Sequence, residues 1–94
     1  MQKEVIKKSI VVTGASKGIG KFIVEQLLSE GYYVYGCSRS KSDLKNKNYF
    51  HFCVDITKEK EVNDMFAQIR RDRSSQLYGL VNNAGIASMN HSLL

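Results

Sequence analysis

The 94-residue sequence contains no proline and only two cysteines. Without proline, internal repeats or low-complexity segments, nothing in the sequence indicates a linker, so we expect one domain over residues 1–94. Cys37 and Cys53 have neither the CxxC spacing of a zinc site nor the density of a disulfide framework. We therefore expect no metal site, and we expect both cysteines to be buried as small hydrophobic side chains.

Long apolar runs are also missing from the sequence. No stretch approaches the roughly 18 residues that cross a bilayer, and residues 1–9 are too polar for a secretory signal. Hydrophobic residues make up 43% of the chain and charged residues 24%, which is the balance of an ordinary globular protein. These features predict a cytoplasmic protein with no membrane partner.

Acidic residues are outnumbered, and the formal net charge is +5. A basic protein can bind nucleic acid when its positive charges cluster, but here they are spread along the chain and interleaved with acids. The one cluster, Arg70, Arg71 and Arg73, follows a helical pattern, where positive charge suits the helix C-terminus. We therefore expect no nucleic-acid partner.

Runs of β-branched and aromatic residues predict four strands. They are Ser9–Thr13, Tyr32–Cys37, Tyr49–Val54 and Tyr78–Val81. The first run is continuous and does not alternate, which is typical of a strand covered on both faces. The polar segment Ser38–Asn48 between the second and third strands predicts a loop or one short helix.

Two segments between these strands have helical periodicity. Gly18–Glu30 predicts an amphipathic helix that stops at Gly31. Its apolar positions are Ile19, Phe22, Ile23, Val24, Leu27 and Leu28. A second helix is predicted to begin with Thr57 as its N-cap, with Glu59 and Glu61 in the first turn. Its inner face is formed by Val62, Met65, Phe66 and Ile69.

Strands that alternate with helices of this length predict the α/β class, because parallel strands need crossover connections. We expect a Rossmann-type parallel sheet with flanking helices, truncated after about four strands.

A glycine-rich segment, Thr13–Gly20, links the first strand to the first helix. Gly14 permits a tight turn, Gly18 lets the backbone approach a pyrophosphate, and Gly20 allows the helix to pack against the sheet. Amide groups at the helix start would face the phosphates. We expect a dinucleotide to contact Gly14, Ala15, Ser16, Lys17, Gly18, Ile19 and Gly20; the alternative is that these are ordinary turn glycines.

The second strand ends in Ser38 and Arg39, where proteins that prefer NAD usually carry an acid. A guanidinium can hold a 2′-phosphate through two charge-assisted hydrogen bonds, whereas a carboxylate would repel it. We therefore expect NADP, with NAD as the weaker candidate cofactor. The alternative for Arg39 is a solvated loop arginine.

Asp55 and Ile56 follow the third strand, at the edge where open α/β sheets bind ligands. The carboxylate of Asp55 can accept a hydrogen bond from an adenine amino group. It could equally be an ordinary cap or turn acid.

Taken together, these motifs resemble those of the classical short-chain dehydrogenase/reductase family. Its TGxxxGxG motif is similar to Thr13–Gly20, and Lys17 and Arg39 resemble the residues of its NADP-preferring members. Asp55–Ile56 looks like its adenine-contacting pair, and Asn82–Gly85 has its NNAG sequence. The resemblance implies that Asn82 supports the sheet. It also implies that Asn83, Ala84 and Gly85 form a wall beside the cofactor.

One departure from the family pattern concerns catalysis. The family uses a tyrosine with a lysine four residues later, and no tyrosine in these 94 residues has such a partner. His51 and His91 lack triad partners, so we predict no catalytic residue.

We therefore expect a truncated copy or fragment of an NADP-dependent oxidoreductase that acts on a carbonyl or secondary alcohol. By itself it should bind the adenosine end of the cofactor weakly and catalyse nothing. The alternative is a noncatalytic nucleotide-binding module that self-associates through the open edge of the fourth strand.

Overall fold

The computed structural model describes residues 7–72 and 75–83. The strands are β1 (Lys8–Thr13), β2 (Tyr33–Ser38), β3 (Tyr49–Cys53) and β4 (Gln76–Val81), and the helices are α1 (Gly18–Ser29) and α2 (Glu59–Arg71). Every predicted strand and helix is present, with small shifts at the ends. Residues 41–46 have no regular structure, so the loop is the correct one of the two alternatives for this segment.

The four strands form one parallel sheet in the order β3-β2-β1-β4. This order is the first part of the Rossmann arrangement, in which the chain crosses to the other side of its first strand before the fourth. The carboxyl ends of all four strands share one edge, and the strand order reverses between β1 and β4. The predicted fold class is confirmed.

The central strand β1 is covered on both faces, as its continuous sequence predicted. Val11 packs with the buried side chains of α2, whereas Ile10 and Val12 pack on the opposite face with Val24 of α1. Val11 and Val12 are 1% and 0% exposed. The side chains of β1 thus alternate between two hydrophobic clusters, one under each helix.

The apolar residues of α1 are not all buried. Val24 is fully buried, but Ile19 and Phe22 are 72% and 60% exposed. The helix faces the sheet through Gly20 and Val24, and a turn of about 100° per residue places Ile19 to the side and Phe22 on the far side. Phe22 therefore lies opposite the buried stripe, although its spacing fits the amphipathic pattern.

Two further predictions were wrong. The N-cap of α2 is Lys58 and not Thr57, because the hydroxyl of Thr57 donates to the carboxylate of Asp55 and closes a turn before the helix. Cys53 is exposed, whereas Cys37 is buried as predicted. Cys53 ends β3, an edge strand whose faces are covered less completely than those of the central strands.

Neither helix in the described part of the chain is both long and apolar enough to cross a bilayer.

Candidate dinucleotide-binding site

The turn after β1 depends on glycine for its backbone conformation. Gly14 has φ 63° and Gly18 has φ 62°, in the left-handed region that other residues rarely adopt. The amide of Ala15, inside this turn, donates to the carbonyl of Cys37 on β2 over 3.1 Å. The turn is therefore held against the carboxyl ends of β1 and β2.

Gly18 and Gly20 are required for different reasons. A Cβ on Gly20 would lie 1.8 Å from the carbonyl oxygen of Gly14 and 2.8 Å from Nδ2 of Asn83. The first turn of α1 thus packs directly against the backbone of the loop. A Cβ on Gly18 would meet no described atom within 4 Å, so this glycine faces open space. The geometry matches the close packing predicted for Gly20 and the open approach predicted for Gly18.

The end of β4 is joined to the glycine turn by hydrogen bonds. The hydroxyl of Thr13 donates to Oδ1 of Asn82 (3.1 Å) and accepts from the amide of Asn83 (2.8 Å). Nδ2 of Asn83 donates to the carbonyl of Gly14 over 3.3 Å. Asn82 and Asn83 therefore hold the two sides of the crevice together where the strand order reverses. Ala84 and Gly85, also predicted at this site, lie outside the described residues.

The N-terminus of α1 carries no negative charge of its own. Lys17, the N-cap residue, is extended and exposed, and within residues 7–72 and 75–83 no side chain caps this end and no acid occupies the first turn. The first amide groups of a helix have no partner within the helix, and they carry the positive end of its dipole. This end of α1 can therefore attract an anion.

The turn that follows β2 lies against the glycine turn. The Ser16 and Ser40 hydroxyls are 3.1 Å apart, and Oγ of Ser38 donates to the backbone oxygen of Ser40 over 2.6 Å. Arg39, between these two serines, is exposed. The structure thus brings Ser16, Ser38 and Ser40 together beside Arg39.

The nearest acid after Arg39 is paired with a lysine. Asp43 accepts a hydrogen bond from Nζ of Lys21 on α1 over 3.0 Å. That hydrogen bond and the charge of Lys21 lower the pKa of Asp43, and the same contacts raise the pKa of Lys21. The positive charge of Arg39 is therefore not cancelled by this carboxylate.

Asp55 lies in a turn after β3. Its Oδ1 accepts from the amide of Thr57 (2.9 Å) and from the hydroxyl of Thr57 (2.7 Å). These hydrogen bonds are the largest cause of the lowered pKa of Asp55, and the positive charge of Arg39 lowers it further. Asp55 is thus a turn acid, and it lies within electrostatic range of Arg39. Ile56, beside it, is partly buried against the α2 side of the core.

His51 is predicted from the sequence only to be noncatalytic, without a connection to this site. In the structure, His51 lies within hydrogen-bonding distance of Ser38, Ser40 and Tyr49. The alternation of side chains along a strand could have indicated this contact. His51 pairs with Gly36 across the sheet, and Ser38, two residues beyond Gly36, lies on the same face. This register could not be known before the strands were aligned.

A family model for short chain dehydrogenases matches residues 8–93. The chain belongs to this family. The match includes the glycine turn, the end of β2 and the asparagines after β4. The described sheet therefore corresponds to the cofactor-binding region of this family.

Similar proteins carry either of two nicotinamide cofactors. The NADPH-dependent 3-dehydrocapnine reductase of Ornithobacterium rhinotracheale is 43% identical over 82% of this chain and 30% of its own length. A short chain dehydrogenase from Burkholderia cenocepacia J2315, solved in complex with NADP, is 28% identical, with a TM-score of 0.74 over 85% of this chain and 33% of its own.

A third relative was solved with the other cofactor. A short chain dehydrogenase from Leptospira borgpetersenii with bound NAD+ is 26% identical, with a TM-score of 0.65 over 72% of this chain and 28% of its own. This chain therefore spans about a third of the length of the relatives that it matches.

Proposed function

We propose that this short-chain dehydrogenase region binds NADP(H), as part of an oxidoreductase that transfers a hydride between NADP(H) and a carbonyl or secondary alcohol. The observation that carries the proposal is the position of Arg39. It is exposed at the carboxyl end of β2, in a turn bonded to the glycine turn through Ser40 and Ser16. A guanidinium there can hold the 2′-phosphate in a bidentate contact.

Charges around Arg39 support the same preference. Lys17 is an exposed cation in the adjacent glycine turn. The first acid after β2, Asp43, is occupied by Lys21 at 3.0 Å. A carboxylate that favours NAD by accepting from the ribose hydroxyls is therefore missing from the described end of β2. The two cations, Arg39 and Lys17, support the proposed preference for the additional phosphate of NADP, and Asp55 is the acid whose charge interacts with Arg39.

The remaining predicted residues are assigned to parts of the same ligand. The amides of Gly14 to Gly20, on the open side that Gly18 leaves, would bind the pyrophosphate. Asp55 and Ile56 would border the adenine, and Asn83, Ala84 and Gly85 the nicotinamide-side ribose. Bound NADP(H) would supply or accept the hydride. Because the 94 residues contain no Tyr-x-x-x-Lys pair, we expect this chain alone to bind the cofactor without turning over carbonyl substrates.

Calorimetry with NADPH and NADH tests the cofactor preference. The wild-type chain should bind NADPH at least about tenfold more tightly than NADH, since a charge-assisted contact contributes roughly 1.5–3 kcal/mol. The Arg39→Gln variant should lose about 10- to 100-fold in NADPH affinity and little in NADH affinity. The result would contradict the proposal if the wild-type chain bound NADH as tightly as NADPH.

A matched control removes an equal charge at the opposite edge of the sheet. Arg70 is exposed in the last turn of α2, which lies at the amino edge because helices run antiparallel to the strands that they connect. Arg70→Gln should therefore leave the affinity for both nucleotides unchanged. Equal losses in Arg39→Gln and Arg70→Gln would show a general charge effect and not recognition of the 2′-phosphate.

A second proposal concerns the 94-residue chain as a self-associating module. β4 is one of the two edge strands of the described sheet, where it pairs only with β1. Leu77 and Tyr78 on β4 are 44% and 61% exposed, and an uncovered edge can pair with a second copy. Sedimentation should show association that increases with concentration and that Leu77→Lys reduces. A monomer at all concentrations would refute this proposal.

The cytoplasm is the compartment that we propose for the chain. Cys37 and Cys53 are both free thiols, and Cys53 is exposed. An exposed unpaired thiol suits a reducing environment, since oxidation acts first on accessible cysteines.

A further inference from the structure

Three polar groups converge on the imidazole of His51, on β3. Nε2 lies 2.9 Å from Oγ of Ser38 and 2.9 Å from the backbone oxygen of Ser40. Nδ1 lies 2.6 Å from the hydroxyl oxygen of Tyr49. The ring therefore bridges a tyrosine of the sheet and the turn that contains Arg39.

These contacts define which ring nitrogen carries the proton. A backbone oxygen can only accept, so Nε2 must donate to Ser40. Ser38 donates its own hydroxyl proton to the oxygen of Ser40 over 2.6 Å, which leaves an oxygen lone pair facing Nε2. In a neutral imidazole Nδ1 is then an acceptor, and its donor is the hydroxyl of Tyr49. Burial raises the pKa of Tyr49 to about 12, so this phenol keeps its proton at neutral pH.

Tyr49 itself is held firmly beneath the site. It is 8% exposed, and its hydroxyl occupies the space beside Gly36, where a Cβ would lie only 2.0 Å from that oxygen. The missing side chain at Gly36 thus makes room for the donor to His51. An unbroken chain of contacts leads from the buried sheet through Tyr49 and His51 to the turn at Ser38 and Ser40.

We propose that His51 is a positioning residue that fixes the turn Ser38–Ser40, and with it Arg39, for recognition of the 2′-phosphate. This inference rests on the proposed binding of NADP(H). One ring nitrogen contacts the residues on both sides of Arg39, and the hydroxyl of Ser40 also meets Ser16 in the glycine turn at 3.1 Å. Holding the backbone of a binding residue before the ligand arrives lowers the entropy lost on binding.

Two substitutions of His51 with side chains of similar size distinguish the role of Nε2 from that of Nδ1. The amide nitrogen of glutamine can reach the position of Nε2 and donate to Ser40. Asparagine is one carbon shorter and reaches only the position of Nδ1. His51→Gln should therefore preserve the turn, and His51→Asn should release it.

The probes are 2′,5′-ADP and 5′-ADP, which differ in the phosphate on the ribose, and the measurement is calorimetry on the 94-residue chain. The wild-type chain should prefer 2′,5′-ADP. His51→Asn should lower this preference about 3- to 10-fold by restoring the ordering cost, whereas His51→Gln should keep it within about twofold of wild type. Affinity for 5′-ADP should change little in either variant.

Tyr49→Phe gives an independent test should His51→Asn not fold. It removes only the hydroxyl that donates to Nδ1, at a position beneath the turn. It should also lower the preference for 2′,5′-ADP over 5′-ADP, but by a smaller factor than His51→Asn.

Three results would overturn the role of His51. An unchanged preference in both His51→Asn and Tyr49→Phe would show that the turn needs no support. Equal losses for both nucleotides would show a merely structural effect. In these two cases the preference of the wild-type chain would still uphold the NADP(H) proposal. A wild-type chain with no preference for 2′,5′-ADP would overturn that proposal and the role of His51 together.

Discussion

The two helices begin at the same edge of the sheet but with opposite electrostatics. Glu59 and Glu61 occupy the first turn of α2, and Oε1 of Glu61 accepts from the amide of Asp55 over 2.9 Å. The first turn of α1 contains no acid, and its N-cap, Lys17, makes no side-chain capping bond to the described residues.

This difference shows which helix start is stabilised by acids of the protein and which is not. At α2 the carboxylates of the protein oppose the helix dipole. At α1 the same dipole meets glycine and lysine, so the negative charge must come from outside the helix. The absence of acids from the first turn of α1 is therefore consistent with the phosphate site that we propose there.

The largest expected effect comes from adding one methyl group at the start of α1. Gly20→Ala should destabilise the chain by about 3 kcal/mol or more, because the new Cβ would meet backbone that cannot move aside. Gly18→Ala should lose only about 1–2 kcal/mol, from its positive φ. Urea unfolding measures both changes.

Gly31→Ala is the control for Gly18→Ala. Gly31 also has a positive φ, 95°, and a Cβ there would meet no described atom within 4 Å. The two variants should lose similar stability, but only Gly18→Ala should weaken NADPH binding. Equal NADPH affinities in the two variants would argue against a phosphate beside Gly18.

A charge exchange between the two helix starts should have an intermediate effect. Ile19→Glu places an acid in the first turn of α1 at an exposed position, so it should raise stability by about 0.3–1 kcal/mol. The same carboxylate should repel the pyrophosphate and weaken NADPH binding roughly tenfold or more. Thermal unfolding and calorimetry measure the two opposing changes.

Two variants complete this test. Ile19→Gln changes the side chain without charge and should retain most of the NADPH affinity. Glu59→Gln removes an acid from α2 and should lower stability by about 0.3–1 kcal/mol with no change in binding. If Ile19→Glu bound NADPH as well as Ile19→Gln, the start of α1 would not be the anion site.

The smallest expected effect is on the stability of the fold in acid, and it comes from Asp55 in the turn before α2. The pKa of Asp55 is lowered from 3.8 by its hydrogen bonds from Thr57. Its charged form therefore stabilises the fold above about pH 4, and this contribution is lost as the pH falls below that value. Asp55→Asn should lower the urea midpoint near neutral pH, and the difference from wild type should vanish in acid. A difference that persists at about pH 2 would exclude this origin.

Much of the fold could be predicted because its signals are local. The continuous run before Gly14 predicted a strand buried on both faces, and Val11 and Val12 confirm it. The spacing of the three turn glycines predicted where the backbone turns and where the helix packs. Such features depend on a few neighbouring residues and on backbone conformations that few other residues can adopt.

Features at the margins of the fold could not be predicted in the same way. The exposure of Cys53 depends on β3 being an edge strand, and the exposure of Phe22 depends on which side of α1 faces the sheet. Thr57 was expected to cap α2, but its hydroxyl is used by Asp55. In each case the result depends on which other parts of the fold lie beside the residue, and the sequence does not specify this.

The sequence by itself determined the order of strands and helices along the chain, the glycine turn and the presence of an arginine after β2, because each follows from residue type and short spacing. Only the tertiary structure decided that Asn83 holds the backbone of Gly14 and that His51 holds the turn around Arg39. These contacts join residues from different strands, and such partners become known only when the register of the sheet is fixed.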